Sequence, residues 1–117
     1  MNTNRIAQRF SALLQEGKKG LITYITAGDP NLGTTARLVE TMIEAGADLV
    51  EVGIPFSDPV ADGPVIQQAS ARALASGVRV RDIIRMCAGI RQKSTGVPLI
   101  AQGVAQPRLR HTWCGGE

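Results

Sequence analysis

Asp48-Leu49-Val50-Glu51-Val52-Gly53-Ile54-Pro55-Phe56-Ser57-Asp58-Pro59-Val60-Ala61-Asp62-Gly63-Pro64 is the stretch on which the fold turns. It opens as a short apolar run holding one internal acid, Glu51, and reads as a strand. Side chains alternate across a strand, so Leu49, Glu51 and Gly53 share one face while Val50, Val52 and Ile54 share the other. If helices cover the aliphatic face, Glu51 points into the interior or into the crevice above the strand ends. From Pro55 to Gly63 the chain becomes a polar, proline-containing loop. Pro64 suits the first position of a new helix, because its missing N–H is unpaired there in any case. A strand that empties through a loop into a helix is the repeating unit of parallel α/β architecture.

Upstream, Leu21-Ile22-Thr23-Tyr24-Ile25-Thr26 is a β-branched and aromatic run between Gly20 and Gly28-Asp29-Pro30, a strand followed by a turn. Asn31 to Gly46 has helical spacing, with Leu38, Met42 and Gly46 on one stripe and Val39 and Ile43 beside it. The first twenty residues form an amphipathic helix pattern, with Ile6, Phe10, Leu13 and Leu14 together, that suits a barrel-plugging or flanking helix. Downstream, the helix from Pro64 carries Val65, Ile66, Ala69, Ala73 and Leu74 as its stripe and stops at Gly77. Another helix covers Arg81 to Lys93, with Ile83, Ile84, Cys87 and Ile90 inward, and Val97-Pro98-Leu99-Ile100 begins a third strand. The predicted order is α-β-α-β-α-α-β. Such alternation implies parallel strands joined by right-handed crossovers, a rule that doubly wound sheets and barrels both obey.

Composition narrows the function classes. With 117 residues, 44% hydrophobic, 20% charged and a net charge of +3, the chain is of ordinary globular type. Its densest basic group, Arg79, Arg81 and Arg85, falls at a helix start and reads as a solvated face rather than a nucleic-acid patch. No apolar run reaches the roughly 18–20 residues of a membrane span, and no signal peptide is visible. The two cysteines, Cys87 on a helical stripe and Cys114 near the end, suggest neither a disulfide framework nor a metal site, consistent with a reducing cytoplasm. His111 and Cys114 supply too few ligands to close a zinc site, and no metal is expected.

Three carboxylates stand where barrel enzymes keep their chemistry, at or beyond the C-terminal ends of strands. A carboxyl group at Glu51, enclosed among aliphatic strands, would be costly to ionise, which suits a group that both gives and takes protons. The alternative is a structural carboxylate paired with a cation from another strand. Asp58 and Asp62 lie in the loop that follows. Asp62 either caps the helix starting at Pro64 or returns over the strand end toward Glu51, where the two could divide acid and base work. Asp29, before Pro30, is accounted for by turn chemistry. Gly28 and Gly33 make no dinucleotide or phosphate-loop fingerprint.

These residues resemble a specific family. The run from Asp48 to Gln67 closely resembles the signature of tryptophan synthase α chains, supported by Thr23-Tyr24-Ile25-Thr26-Ala27-Gly28-Asp29-Pro30 and Glu44-Ala45-Gly46-Ala47-Asp48. The Pro-Phe-Ser-Asp-Pro segment separates it from the indole-glycerol-phosphate synthase of the preceding step. The resemblance implies a (β/α)8 TIM barrel that cleaves indole-3-glycerol phosphate to indole and glyceraldehyde 3-phosphate by a cofactor-free retro-aldol step, in the cytoplasm. It implies that Glu51 handles the glycerol hydroxyl proton and protonation at the indole carbon. It implies that Asp62 hydrogen-bonds the indole N–H, and that Tyr24 lines the indole pocket. Asp58 and Pro59 match a region that contacts the β subunit of an α2β2 assembly. Pyridoxal phosphate belongs to that β partner, not to this chain.

The resemblance runs to about residue 100, giving residues 1–100 as the N-terminal part of a barrel domain with about three of its eight strands. A complete barrel needs about 250 residues. Residues 101–117 carry no sustained period and read as a divergent, unstructured tail, as a shifted reading frame or a truncated gene would produce. Three strands cannot close a barrel, and the loops that would hold the substrate phosphate are expected after strands seven and eight. The chain by itself is therefore expected to be inactive. The alternative is a non-catalytic module that docks on a β subunit.

Overall fold

The computed structural model describes residues 4–57, 62–94 and 96–103. The elements run α1 (Arg5–Glu16), β1 (Ile22–Thr26), α2 (Leu32–Glu44), β2 (Leu49–Gly53), α3 (Pro64–Ala75), α4 (Val80–Lys93) and β3 (Leu99–Gln102), the order that the hydrophobic pattern predicts. The strands form one parallel sheet in the order β1-β2-β3. Among the described residues no helix is long and apolar enough to cross a membrane.

Local chemistry sets the helix ends. The Asn4 side chain accepts from the Ile6 N–H at 2.9 Å and Asn31 accepts from Thr34 N–H at 2.8 Å, each satisfying a donor that a helix start leaves orphaned. Gly17 closes α1 in the left-handed conformation, at φ 66°. Pro64 opens α3 as expected. β3 takes in Ala101 and Gln102, because pairing of Val52 with Ala101 and of Gly53 with Gln102 carries the ladder past the last apolar residue. The remainder of the 101–117 segment, from 104 onward, lies outside the described residues.

The sheet has one dry face. Val50 and Val52 are fully buried with Val39 of α2 and Ile83 and Ile90 of α4, while Ile25, Leu99 and Cys87 pack against them. The aliphatic face of β2 is thus the one that the helices cover. The helix stripes themselves need correction. α2 buries Thr35 and Val39, and Leu38 is 43% exposed, because sheet and α4 meet the helix along the Val39 line. In α4, Ile83 and Ile90 are buried and Ile84 is 49% exposed. α3 rests on β1 through Ala69, Ser70 and Ala73, small residues that allow close approach, and leaves Val65 75% exposed. Arg79, Arg81 and Arg85 are exposed, as a solvated helix face requires.

α1 closes the lower, N-terminal end of the sheet. Its Phe10 and Leu13 stand over Gly20, where an added Cβ would lie 3.0 Å and 3.2 Å from their side chains. Asp48, just before β2, accepts from Arg9 Nε at 2.9 Å, from Arg9 Nη2, and from the backbone N–H of Leu21 at 2.8 Å. The Leu21 N–H and the Arg9 guanidinium hold the Asp48 carboxyl below its ordinary value. A carboxylate whose folded value is depressed stabilises the fold above its unfolded value, about 3.9, and loses that contribution as pH falls through the folded one. Asp48→Asn should therefore lower the urea midpoint at pH 6 and leave it nearly unchanged at pH 2, as paired denaturation curves would show. An equal difference at both pH values would mean that charge is not what ties α1 down.

Candidate active site

All three strands end at one edge, at Thr26, Gly53 and Gln102. Beyond that edge lies a cleft of about 470 Å³ lined by Tyr24, Ile54, Phe56, Asp62, Ile66, Ser70, Gln102 and Gly103. Among the described residues, Ile54, Ile66, Tyr24 and Phe56 make the apolar part of the lining, and Asp62 is its acid. A mostly apolar lining with a few polar groups is common in small-molecule sites.

Tyr24 and Glu51 are cross-strand neighbours in register, and Ile100 flanks Glu51 on the other side. Glu51 thus shares the uncovered face with Tyr24 at the same level of the sheet, but is not among the residues that line the cleft. That face is open in this chain: Ile22 is 50% and Tyr24 41% exposed, and Glu51 is half-buried. The enclosed interior expected around Glu51 is therefore supplied on one wall only. The Tyr24 ring leans across β2 so that a Cβ at Gly53 would overlap its hydroxyl. A glycine inside a strand marks such a close approach.

Asp62 does not cap α3. The N-cap is Gly63, without a side-chain cap bond, and Asp62 is among the residues that line the cleft. Its backbone carbonyl accepts from Gln67 Nε2 at 2.7 Å. α3 is seated over the end of β1 by two further ties. Arg72 donates from Nε and Nη2 to the two carboxylate oxygens of Asp29 at 2.9 and 3.0 Å. Ser76 Oγ lies 3.0 Å from Gly28 O and 2.7 Å from Ala73 O and shares its one proton between them. The paired Arg72 guanidinium lowers the Asp29 carboxyl, so Asp29 is an anchor for α3 as well as a turn residue. Asp58 and Pro59, expected at a partner interface, lie outside the described residues.

The structure therefore brings Tyr24 and Asp62 into one cleft and sets Glu51 beside Tyr24 on the same face. Sequence reasoning missed Phe56, Ile66 and Gln102 as lining residues and Gly53 as the seat of the Tyr24 ring. Only Gly53 carried a readable signal, a glycine within the apolar run from Leu49 to Ile54. Burial pushes the Cys87 thiol up, so that cysteine is a packing residue of α4 and not a nucleophile.

Known proteins share this sequence and this arrangement. The family model described as "Tryptophan synthase alpha chain" matches residues 10–112, past the point where the patterning ends. The tryptophan synthase alpha chain of Caldanaerobacter subterraneus subsp. tengcongensis is 55% identical over 97 residues, which cover 83% of this chain and 37% of that protein. The crystal structure of the alpha subunit from Legionella pneumophila strain Paris superposes with a TM-score of 0.90 at 41% identity, covering 96% of this chain and 43% of that one. A tryptophan synthase complex from Pyrococcus furiosus superposes with a TM-score of 0.71 at 37% identity, covering 78% of this chain and 37% of the other. The chain thus spans about two fifths of the length of the relatives that it matches, and its sheet is part of a TIM barrel. With the matched segment spanning most of its length, the chain belongs to the tryptophan synthase alpha chain family.

Proposed function

We propose that this chain carries the acid–base side of a lyase site that cleaves indole-3-glycerol phosphate into indole and glyceraldehyde 3-phosphate. The observation that supports it best is the cleft above β1 and β2, where aromatic and aliphatic residues meet the acid Asp62, with Glu51 beside Tyr24 in register. In this reading the indole ring lies between Tyr24, Phe56 and Ile66, with its N–H toward Asp62. The Glu51 carboxylic acid donates its proton to the indole carbon that bears the glycerol chain. The positive charge that this leaves on the ring nitrogen is stabilised by the Asp62 carboxylate. As the carbon–carbon bond breaks, the glycerol hydroxyl becomes the aldehyde and returns its proton to Glu51, so the acid is regenerated and no cofactor is consumed.

The partner in this reading is a β subunit that consumes the indole and holds pyridoxal phosphate, with Asp58 and Pro59 toward it. Membership of the family, and the position of this loop after β2, support that reading. Residues 4–103 supply one wall of the site, and binding energy from a phosphate anchor elsewhere in a barrel would be needed to orient the substrate.

The test is complementation. The purified 117-residue chain is expected to release no indole and to self-associate, since its sheet leaves apolar residues and strand edges open. Co-expressed with the remaining barrel segment of the Caldanaerobacter relative, it should form a soluble assembly that releases indole. Indole release by the chain alone would overturn the first expectation. A soluble, co-purifying assembly without indole release would sink the lyase reading.

A further inference from the structure

We infer that Gln67 is a positioning residue for Asp62, a role that rests on the lyase reading above and adds a residue to it. Among the described residues little else holds the backbone at this point. Asp62 immediately precedes the N-cap of α3, and the N-cap is a glycine whose lack of a side chain leaves the helix start without the usual brace. The bond from Gln67 Nε2 to Asp62 O, 2.7 Å, is the one side-chain hydrogen bond among the described residues that joins the loop end to α3. Fixing the direction of that carbonyl fixes the peptide plane after Asp62 and the position of the Asp62 Cα in it, which narrows the range that its side chain can reach.

Gln67 can act this way because its own helix is held. Arg72 and Ser76 tie the far end of α3 to Asp29 and Gly28, and Ala69, Ser70 and Ala73 are buried beneath it. Ile66 and Ser70 of the same helix form part of the cleft wall. α3 is thus a fixed beam with the wall on its underside. At its start, Gln67 reaches back to Asp62, which lines the same cleft. The bond is exposed, so water competes for both partners, and the effect of losing it is of the size of one ordinary hydrogen bond.

The experiment uses the complemented barrel assembly and two variants that remove the donor but keep length and helix propensity, Gln67→Met and Gln67→Glu. Both are expected to lower kcat for indole release about three- to tenfold with KM changed less. In an Asp62→Ala background the same changes should cost nothing further, because no carboxylate remains to be oriented. An equal loss in both backgrounds, or no loss in either, overturns the assignment. Amide exchange of the segment 62–66, followed by mass spectrometry, gives a readout independent of turnover. Gln67→Met should speed it severalfold while exchange in α4 stays unchanged, and unaltered exchange would overturn the inference. If the parent assembly releases no indole, the lyase reading fails by itself, and the exchange measurement still decides whether Gln67 holds the loop.

Discussion

Glu51→Gln in the complemented barrel is expected to lower indole release by about 10²–10⁴-fold, the usual contribution of a positioned acid–base group. Glutamine keeps the shape and can still donate a hydrogen bond, but it has no proton to give to carbon and cannot take one from the hydroxyl. Glu51 stands between Tyr24 and Ile100 in register. The substitution should leave the sheet and the cleft walls intact, so substrate affinity should change little while kcat collapses. Thermal unfolding of variant and parent should coincide. Steady-state kinetics would check this: a loss in KM alone, with kcat preserved, would remove Glu51 from the chemistry and leave it as a binding group.

The second large effect is expected at Gly28, far from the proton transfers. Gly28 has a φ of 95°, and a Cβ there would stand 2.8 Å from both Cβ and Cγ1 of Val78. Gly28→Ala therefore meets two independent penalties. The left-handed backbone costs an L-residue about 1–2 kcal/mol, and forcing a methyl group into a filled contact adds about 1–3 kcal/mol. Against a typical total stability of roughly 5–15 kcal/mol, the sum is a large share. The damage should also reach the cleft, because Gly28 O receives Ser76 and the neighbouring Asp29 receives Arg72. We expect a lower urea midpoint for Gly28→Ala and partial recovery in Gly28→Ala/Val78→Ala, where the clash is relieved and the strain is not. Full recovery would mean that backbone strain contributes nothing; an unchanged midpoint would mean that the turn relaxes freely.

The elements that could be read from sequence were those decided by neighbours in the chain. The alternation in β2 correctly separates Glu51 from Val50 and Val52, and Pro64 correctly marks the start of α3, because both depend on residues one to four positions away. Exact helix faces were less legible. Leu38, Ile84 and Val65 are as apolar as the residues beside them, and only the positions of α4 and the sheet decide which of them is covered. The ties that build the site were not legible at all. Arg72 meets Asp29 across 43 residues and Arg9 meets Asp48 across 39, and neither pair has any local signature. The expected choice for Asp62, cap or cleft, was left open by the sequence and decided by Gly63 taking the cap.

The tie between Arg9 and Asp48 also imposes a timetable. α1 leaves the ribosome before β1, α2 and β2, yet the carboxylate that holds it comes only with the residue before β2. Until then Phe10, Leu13 and Leu14 have no seat, and Leu14 stays largely exposed afterwards. α1 is therefore made well before it can be secured, and through that interval its apolar stripe is on offer to chaperones and to other unfinished chains.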